Sequence, residues 1–157
     1  MLKYLNTQVT FAEVPDEITL CINITGCKNG CKNCHSSYLA QDIGTELTFN
    51  EVRKLIKKNS GISCIALMGG DAEPDKINTL ASFIINHYGS IKVAWYSGRQ
   101  ELNNNIDLCN FDYIKLGPYK EEFGPLNNRT TNQRFYKVNG KELVDITNKF
   151  WKHETEN

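Results

Sequence analysis

Nothing in this sequence is apolar for long enough to cross a lipid bilayer. The longest apolar run, residues 62–68, is short and contains Ser63, whereas a spanning helix needs about 20 residues. Net charge is missing too: 18 lysines and arginines face 18 aspartates and glutamates, so the basic footprint of a nucleic-acid binder is absent. The opening MLKYLNTQVTFAEVPDEI scatters polar and charged residues where an export signal needs a continuous apolar stretch. Global disorder is excluded by an apolar content of 40 % against 23 % charged. These absences predict a soluble, cytoplasmic protein with no membrane or nucleic-acid partner. Its 157 residues fit one compact domain over 1–157, without repeat or linker and with a less regular part from about residue 118.

Cysteine is not scarce. There are six, and three of them, Cys27, Cys31 and Cys34, fall within one short loop. In a chain without an export signal such a cluster reads as metal-binding or catalytic before it reads as disulfides. Cys21 and Cys64 sit in apolar, strand-like runs, where a free cysteine behaves as a small buried hydrophobe. Charge is locally uneven despite the zero sum. Lys28 and Lys32 lie inside the cysteine loop, and Arg53, Lys54, Lys57 and Lys58 share one helix, either as a solvated face or as a docking surface for an acidic redox partner.

Residues 17–25, EITLCINIT, are rich in β-branched side chains and run into the glycine-punctuated GCKNGCKNCH, a strand followed by a loop. Thr48 with Glu51 makes a capping box for a helix over about 49–59, whose apolar stripe is Val52, Leu55 and Ile56. The run at 62–68 predicts a strand buried on both faces. Asp75 is expected to cap a second helix carrying Ile77, Leu80, Ala81, Ile84 and Ile85 to about residue 88. Strands are expected at 91–97, at FDYIKLG from 111 and at RFYKVN from 134, with a short helix or turn over 99–109 and either a strand or a helix over 142–152. Alternating strands and helices give a parallel sheet with right-handed crossovers. A full eightfold barrel takes about 250 residues, so the sheet is either doubly wound or an incomplete, laterally open barrel. In both, the loops leaving the carboxyl ends of the strands build the site. That rule brings the cysteine loop, Gly69-Gly70-Asp71 and Ser97-Gly98-Arg99 to one rim.

Thiolates suit soft metals, and Cys27-x3-Cys31-x2-Cys34 gathers three of them. A fourth ligand is what the sequence lacks. Structural zinc wants four, usually as two separated pairs, and His35 abuts Cys34 too closely to share its metal without strain. Ordinary cubane clusters likewise use four cysteines. Three ligands therefore point to an iron–sulfur cluster with one iron open to a small molecule, with zinc and redox thiols as the alternatives. Gly69-Gly70-Asp71 at a strand exit is either a plain turn or a grip for an ammonium group.

The cysteine spacing resembles the cluster loop of the radical S-adenosylmethionine superfamily, and Gly69-Gly70-Asp71 resembles its glycine-glycine-acid motif. The CKNCHS, MGGDAEPD and TTNQRFYKV stretches, with the short length, are similar to the activating proteins of class III, anaerobic ribonucleoside-triphosphate reductases, over nearly the whole chain. The resemblance implies an α/β fold, a mostly parallel sheet closed into a small, laterally open partial (β/α) barrel. It implies that Cys27, Cys31 and Cys34 ligate three irons of one 4Fe-4S cluster, and that S-adenosylmethionine, the cosubstrate, chelates the fourth. Gly69, Gly70 and Asp71 would orient its amino group, with Ser97, Lys115, Asn132 and Gln133 around the nucleotide or the carboxylate. The implied activity is reductive cleavage to a 5′-deoxyadenosyl radical that installs a glycyl radical in the carboxyl-terminal region of the reductase. An external one-electron donor such as flavodoxin would supply the electron. The alternatives are an activase of another glycyl radical enzyme and a cluster-binding electron-transfer module. Two positions depart from the family pattern: Asn33 replaces the usual aromatic or glycine before the last cysteine, and Lys115-Leu116-Gly117 stands where many relatives carry Asp-Gly.

Overall fold

The structure, a computed structural model, describes residues 2–26 and 43–151. Among them eight strands form one sheet: β1 (Lys3–Thr10), β2 (Thr19–Ile24), β3 (Thr45–Glu46), β4 (Cys64–Met68), β5 (Lys92–Tyr96), β6 (Tyr113–Leu116), β7 (Arg134–Asn139) and β8 (Glu142–Asp145). The order is β3-β1-β2-β4-β5-β6-β7-β8. β2, β4, β5 and β6 pair in parallel. β1 pairs antiparallel with β2 and β3, and β7 antiparallel with β6 and β8. Two α-helices cross over, α1 (Phe49–Lys58) and α2 (Pro74–His87). None of the helices described is long and apolar enough to cross a membrane.

This architecture corrects the expected fold class. The sheet is mixed, its antiparallel pairings outnumber the parallel ones, and it is not a mostly parallel partial (β/α) barrel. The physical reason lies in the connections. Between β5 and β6 the crossover contains only a 3₁₀ turn at Leu108–Asn110, and after β6 the chain doubles back as the β7–β8 hairpin, turned at Gly140-Lys141. The amino-terminal residues, which carried no strand signal, add β1 in reverse along β2. A doubly wound sheet is excluded as well. Strand order advances steadily from β2 through β6, so right-handed crossovers put both helices on one face.

Alternation along the strands separates two cores. Leu20, Ile22, Ile24, Ile65, Leu67, Val93, Trp95, Ile114 and Leu116 face the helices and pack with Val52, Leu55, Ile77, Leu80, Ala81 and Ile84. The intervening residues, Cys21, Cys64, Ala66, Ala94, Tyr113 and Phe135, face away and are covered by loop residues Val14, Leu126 and Ile146 and by Phe150 of the 3₁₀ turn Thr147–Phe150. At α1 only half of the capping box forms: the Thr48 hydroxyl accepts the Glu51 N–H (3.1 Å), while the Glu51 carboxylate takes the Tyr4 hydroxyl (2.6 Å). α2 is not capped by Asp75. Pro74 opens the helix after Glu73, and Asp75 lies in its first turn, where its charge suits the helix dipole.

Candidate cofactor site

Because β2, β4, β5 and β6 run the same way, their carboxyl ends share one edge of the sheet, as the sequence predicted for its three loops. At the end of β2, the Thr25 N–H donates to Lys3 O (2.9 Å) and its hydroxyl to Ile43 O (2.6 Å). Cys27, Cys31 and Cys34 lie outside the described residues. The two ends that flank their segment, Thr25 and Ile43, are bonded to each other, so the chain leaves and re-enters the rim at one place.

The Gly69-Gly70 turn sits beside that point. Both glycines have positive φ, 113° and 87°, a conformation that costs any other residue about 1–2 kcal/mol. A Cβ on Gly69 would stand 3.2 Å from Ile24 O, and one on Gly70 only 2.5 Å from Ile77 Cδ1. The turn is fixed from the next strand, by Trp95 Nε1 donating to Gly69 O (2.7 Å) and by Gly69 N donating to Tyr96 O (3.0 Å). Asp71 is buried, and each of its carboxylate oxygens accepts a bond from the β5 exit: Ser97 Oγ at 2.6 Å and Gly98 N at 2.8 Å. Ser97 Oγ in turn accepts Arg99 N at 3.1 Å. Asp71 and Ser97 therefore fasten two strand exits together.

Lys115 joins the same network. Its buried ammonium donates to Ser97 O (3.1 Å) and Gly117 O (2.8 Å) and stands 5.9 Å from the centre of the Tyr96 ring. These carbonyls help meet the cost of burying a cation, and they tie the β6 exit to that of β5. Asn132 and Gln133 lie next to this network, against Gly117, where an added Cβ would stand 3.1 Å from Gln133 Cα. Asn132 Nδ2 donates to Pro118 O (3.0 Å), but its Oδ1 is buried without a partner. Gln133, also buried, forms part of the wall of a cavity of about 690 Å³ with Glu13, Tyr119, Leu126, Lys149 and Phe150. The rim thus brings Gly69, Gly70, Asp71, Ser97 and Lys115 into one bonded set, with Asn132 and Gln133 on its flank. Sequence reading missed Trp95 and Thr25, and it placed Gly98 on the rim without its bond to Asp71. Trp95 carried a usable signal, since a buried indole N–H needs an acceptor.

The remaining thiols are not candidate ligands. Cys21 and Cys64 are free and buried. Burial, with the Glu13 charge second, pushes the Cys21 thiol up to about 12, and burial followed by Glu17 raises Cys64. Both pack into the core on the loop-covered face, within strands, as small hydrophobes. Cys109 is exposed just before β6, at the opposite end of the sheet from the rim. Among the described residues no three histidine, cysteine or acidic side chains group as a metal site, so thiolate donors at the rim would come from the segment carrying Cys27, Cys31 and Cys34. Nearby, the Tyr96 hydroxyl donates to Glu13 O. Burial foremost, then the Glu13 charge, raises Tyr96 well above the usual phenol range, and burial raises the Glu13 carboxyl.

No family model, curated protein or solved structure matches this chain.

Proposed function

We propose that this chain is a radical S-adenosylmethionine enzyme, an activating protein that installs a glycyl radical on an anaerobic ribonucleoside-triphosphate reductase. The observation that supports the reading is the packing of Gly69 against Ile24. It sets the glycine-glycine-acid turn beside the strand end that leads into Cys27, Cys31 and Cys34, where one motif binds the metal cluster and the other the molecule attached to it. The residues present fit such a group. Three thiolates with no evident fourth suit a cluster with an open iron, and the orphaned Asn132 Oδ1 is an acceptor for a ligand hydroxyl or amino group.

Such a cluster, held by Cys27, Cys31 and Cys34, would supply the one electron, taken from an external donor, for reductive cleavage of S-adenosylmethionine and so for hydrogen-atom abstraction from the target glycine. The chain's own residues bind and position. Cys27, Cys31 and Cys34 hold the cluster. The Gly69-Gly70 backbone receives the amino group, and Asp71 keeps that turn registered to the β5 exit through Ser97 and Gly98. Lys115 locks the β5 and β6 exits and places a positive charge at the rim, suited to the carboxylate of the methionine moiety. Rigid placement matters because orientation is the protein's main contribution when the cofactor carries the chemistry.

The test is anaerobic. The protein is reconstituted with iron and sulfide, reduced with dithionite and given S-adenosylmethionine, with and without the candidate reductase. The expected outcome is 5′-deoxyadenosine, together with a glycyl radical signal on the reductase by electron paramagnetic resonance, both lost in Cys31→Ser. Deoxyadenosine without that signal would keep the radical chemistry and reopen the partner. A loaded cluster that yields none would replace the enzyme by an electron-transfer module.

A further inference from the structure

Helix α1 carries more positive charge than its own stability explains. Arg53, Lys54, Lys57 and Lys58 are exposed. Its one acidic residue, Glu51, is engaged by Tyr4. Arg53 stands one turn from Lys57 and Lys54 one turn from Lys58, so both i, i+4 pairs are repulsive. The helix dipole favours Lys57 and Lys58 in the last turn but offers nothing to Arg53 and Lys54. Among the described residues none of the four is ion-paired. The chain's net charge is zero, so the excess belongs to this face.

The face is also pre-shaped. Phe49, 42 % exposed, stacks on Phe83 with ring centres 4.4 Å apart, and the Arg53 guanidinium lies 5.0 Å from the centre of the same Phe83 ring. An aromatic and a cation are thus held in place beside three exposed lysines. The helix lies on the helix-covered side of the sheet, whereas the cavity lined by Glu13, Gln133 and Phe150 belongs to the loop-covered side. A partner on α1 leaves the other side open to a second one. α1 also begins at the rim, soon after Ile43, where the cysteine-bearing segment re-enters.

We infer that the outer face of α1, with Arg53, Lys54, Lys57 and Lys58 around Phe49, is the docking surface for an acidic one-electron carrier protein. This rests on the proposed function, which needs such a carrier. Docking itself is non-covalent. The carrier gives up one electron, and that electron is consumed in the reductive cleavage of S-adenosylmethionine.

The test compares Lys54→Glu/Lys57→Glu with Lys137→Glu/Lys141→Glu, an equal change of net charge on β7 and the β7–β8 turn. Both pairs are exposed, and in the α1 variant both i, i+4 repulsions become attractions, which offsets the loss of Lys57 from the last turn, so this variant should melt close to wild type. Calorimetric titration with oxidised flavodoxin, an acidic flavin carrier, needs no cluster in the protein. Wild type should bind with an affinity that falls as salt is raised. The α1 variant should lose at least about tenfold, and the control pair should stay near wild type. Equal losses in both variants, or none in either, would overturn the assignment. In the loaded protein, deoxyadenosine formation driven by reduced flavodoxin should slow by a similar factor in the α1 variant, while formation driven by dithionite is unchanged. Wild type inactive with dithionite would reject the proposed function. Wild type active with dithionite but binding flavodoxin regardless of α1 would reject the docking surface alone.

Discussion

Gly61 and Gly70 share a backbone conformation and differ in everything around it. Their φ values are 91° and 87°. A Cβ on Gly61 would meet nothing within 4 Å, while one on Gly70 would stand 2.5 and 2.8 Å from the side chain of Ile77, itself fully buried. Gly61→Ala should therefore cost only the left-handed backbone, about 1–2 kcal/mol. Gly70→Ala should add overpacking and reach roughly 2–5 kcal/mol. Urea unfolding of the two variants measures the difference, and equal midpoints would mean that Ile77 has room to move. The same contact explains why the motif was legible at this scale. Two consecutive glycines after an apolar strand announce a backbone that other residues cannot follow. What the sequence could not convey is where the acid's charge is spent: Asp71 accepts from Ser97 and Gly98, residues far along the chain that only strand pairing brings near.

At the scale of elements, the parallel strands are tied at both ends. Opposite the rim, Glu17 accepts from Ser63 (2.6 Å), Lys92 (2.8 Å) and Tyr113 (3.3 Å), joining the starts of β2, β4, β5 and β6. Burial works to raise this carboxyl, but bonds from Lys92 and Ser63, with the Lys92 charge and Tyr113, outweigh it and hold the group below the ordinary glutamate range. A carboxyl with a depressed folded pKa stabilises the fold fully above its unfolded pKa, and that contribution is lost as pH falls through the folded value. Wild type should thus exceed Glu17→Gln in stability at pH 7, and the gap should close as pH drops from about 4.5. Urea midpoints from pH 7 to pH 3 check this, and a gap constant over that range would show that the charge of Glu17 plays no part. These central strands were readable because their apolar runs are continuous, as burial on both faces demands. β1 was not. Its KYLNTQVT is half exposed and mostly polar, and it becomes a strand by pairing with β2, a long-range fact. In the hairpin β7–β8 the first strand and turn were read, but 142–152 stayed open between strand and helix, since ELVD is short and mostly exposed.

At the scale of the molecule, the difference between the expected barrel and the observed mixed sheet follows from what the flanks are made of. Local pattern fixes an element's type, whereas the direction of pairing at a sheet's edge depends on which distant polar strand closes it. The consequence is a sheet with a rigid middle and softer margins. Residues 64–67 of β4 are fully buried and are paired on both sides, to β2 and β5. Among the described residues β8, mostly exposed, pairs only with β7, and from Leu5 onward β1 pairs only with β2. Amide exchange by local opening is fastest where burial is least. Hydrogen exchange followed by mass spectrometry should find the slowest amides in β4 and β5, intermediate ones in β2 and β6, and the fastest in β8 and the outer part of β1. The rim residues Gly69, Asp71 and Ser97 hang directly from the two slowest strands. A site that must hold its ligand in one orientation gains from that attachment, because positional error in the strand passes straight into the turn. If β4 and β5 instead exchanged as fast as the edges, the rim would lack the stiffness that its bonded network implies, and Asp71 and Lys115 would be clamps on a mobile base.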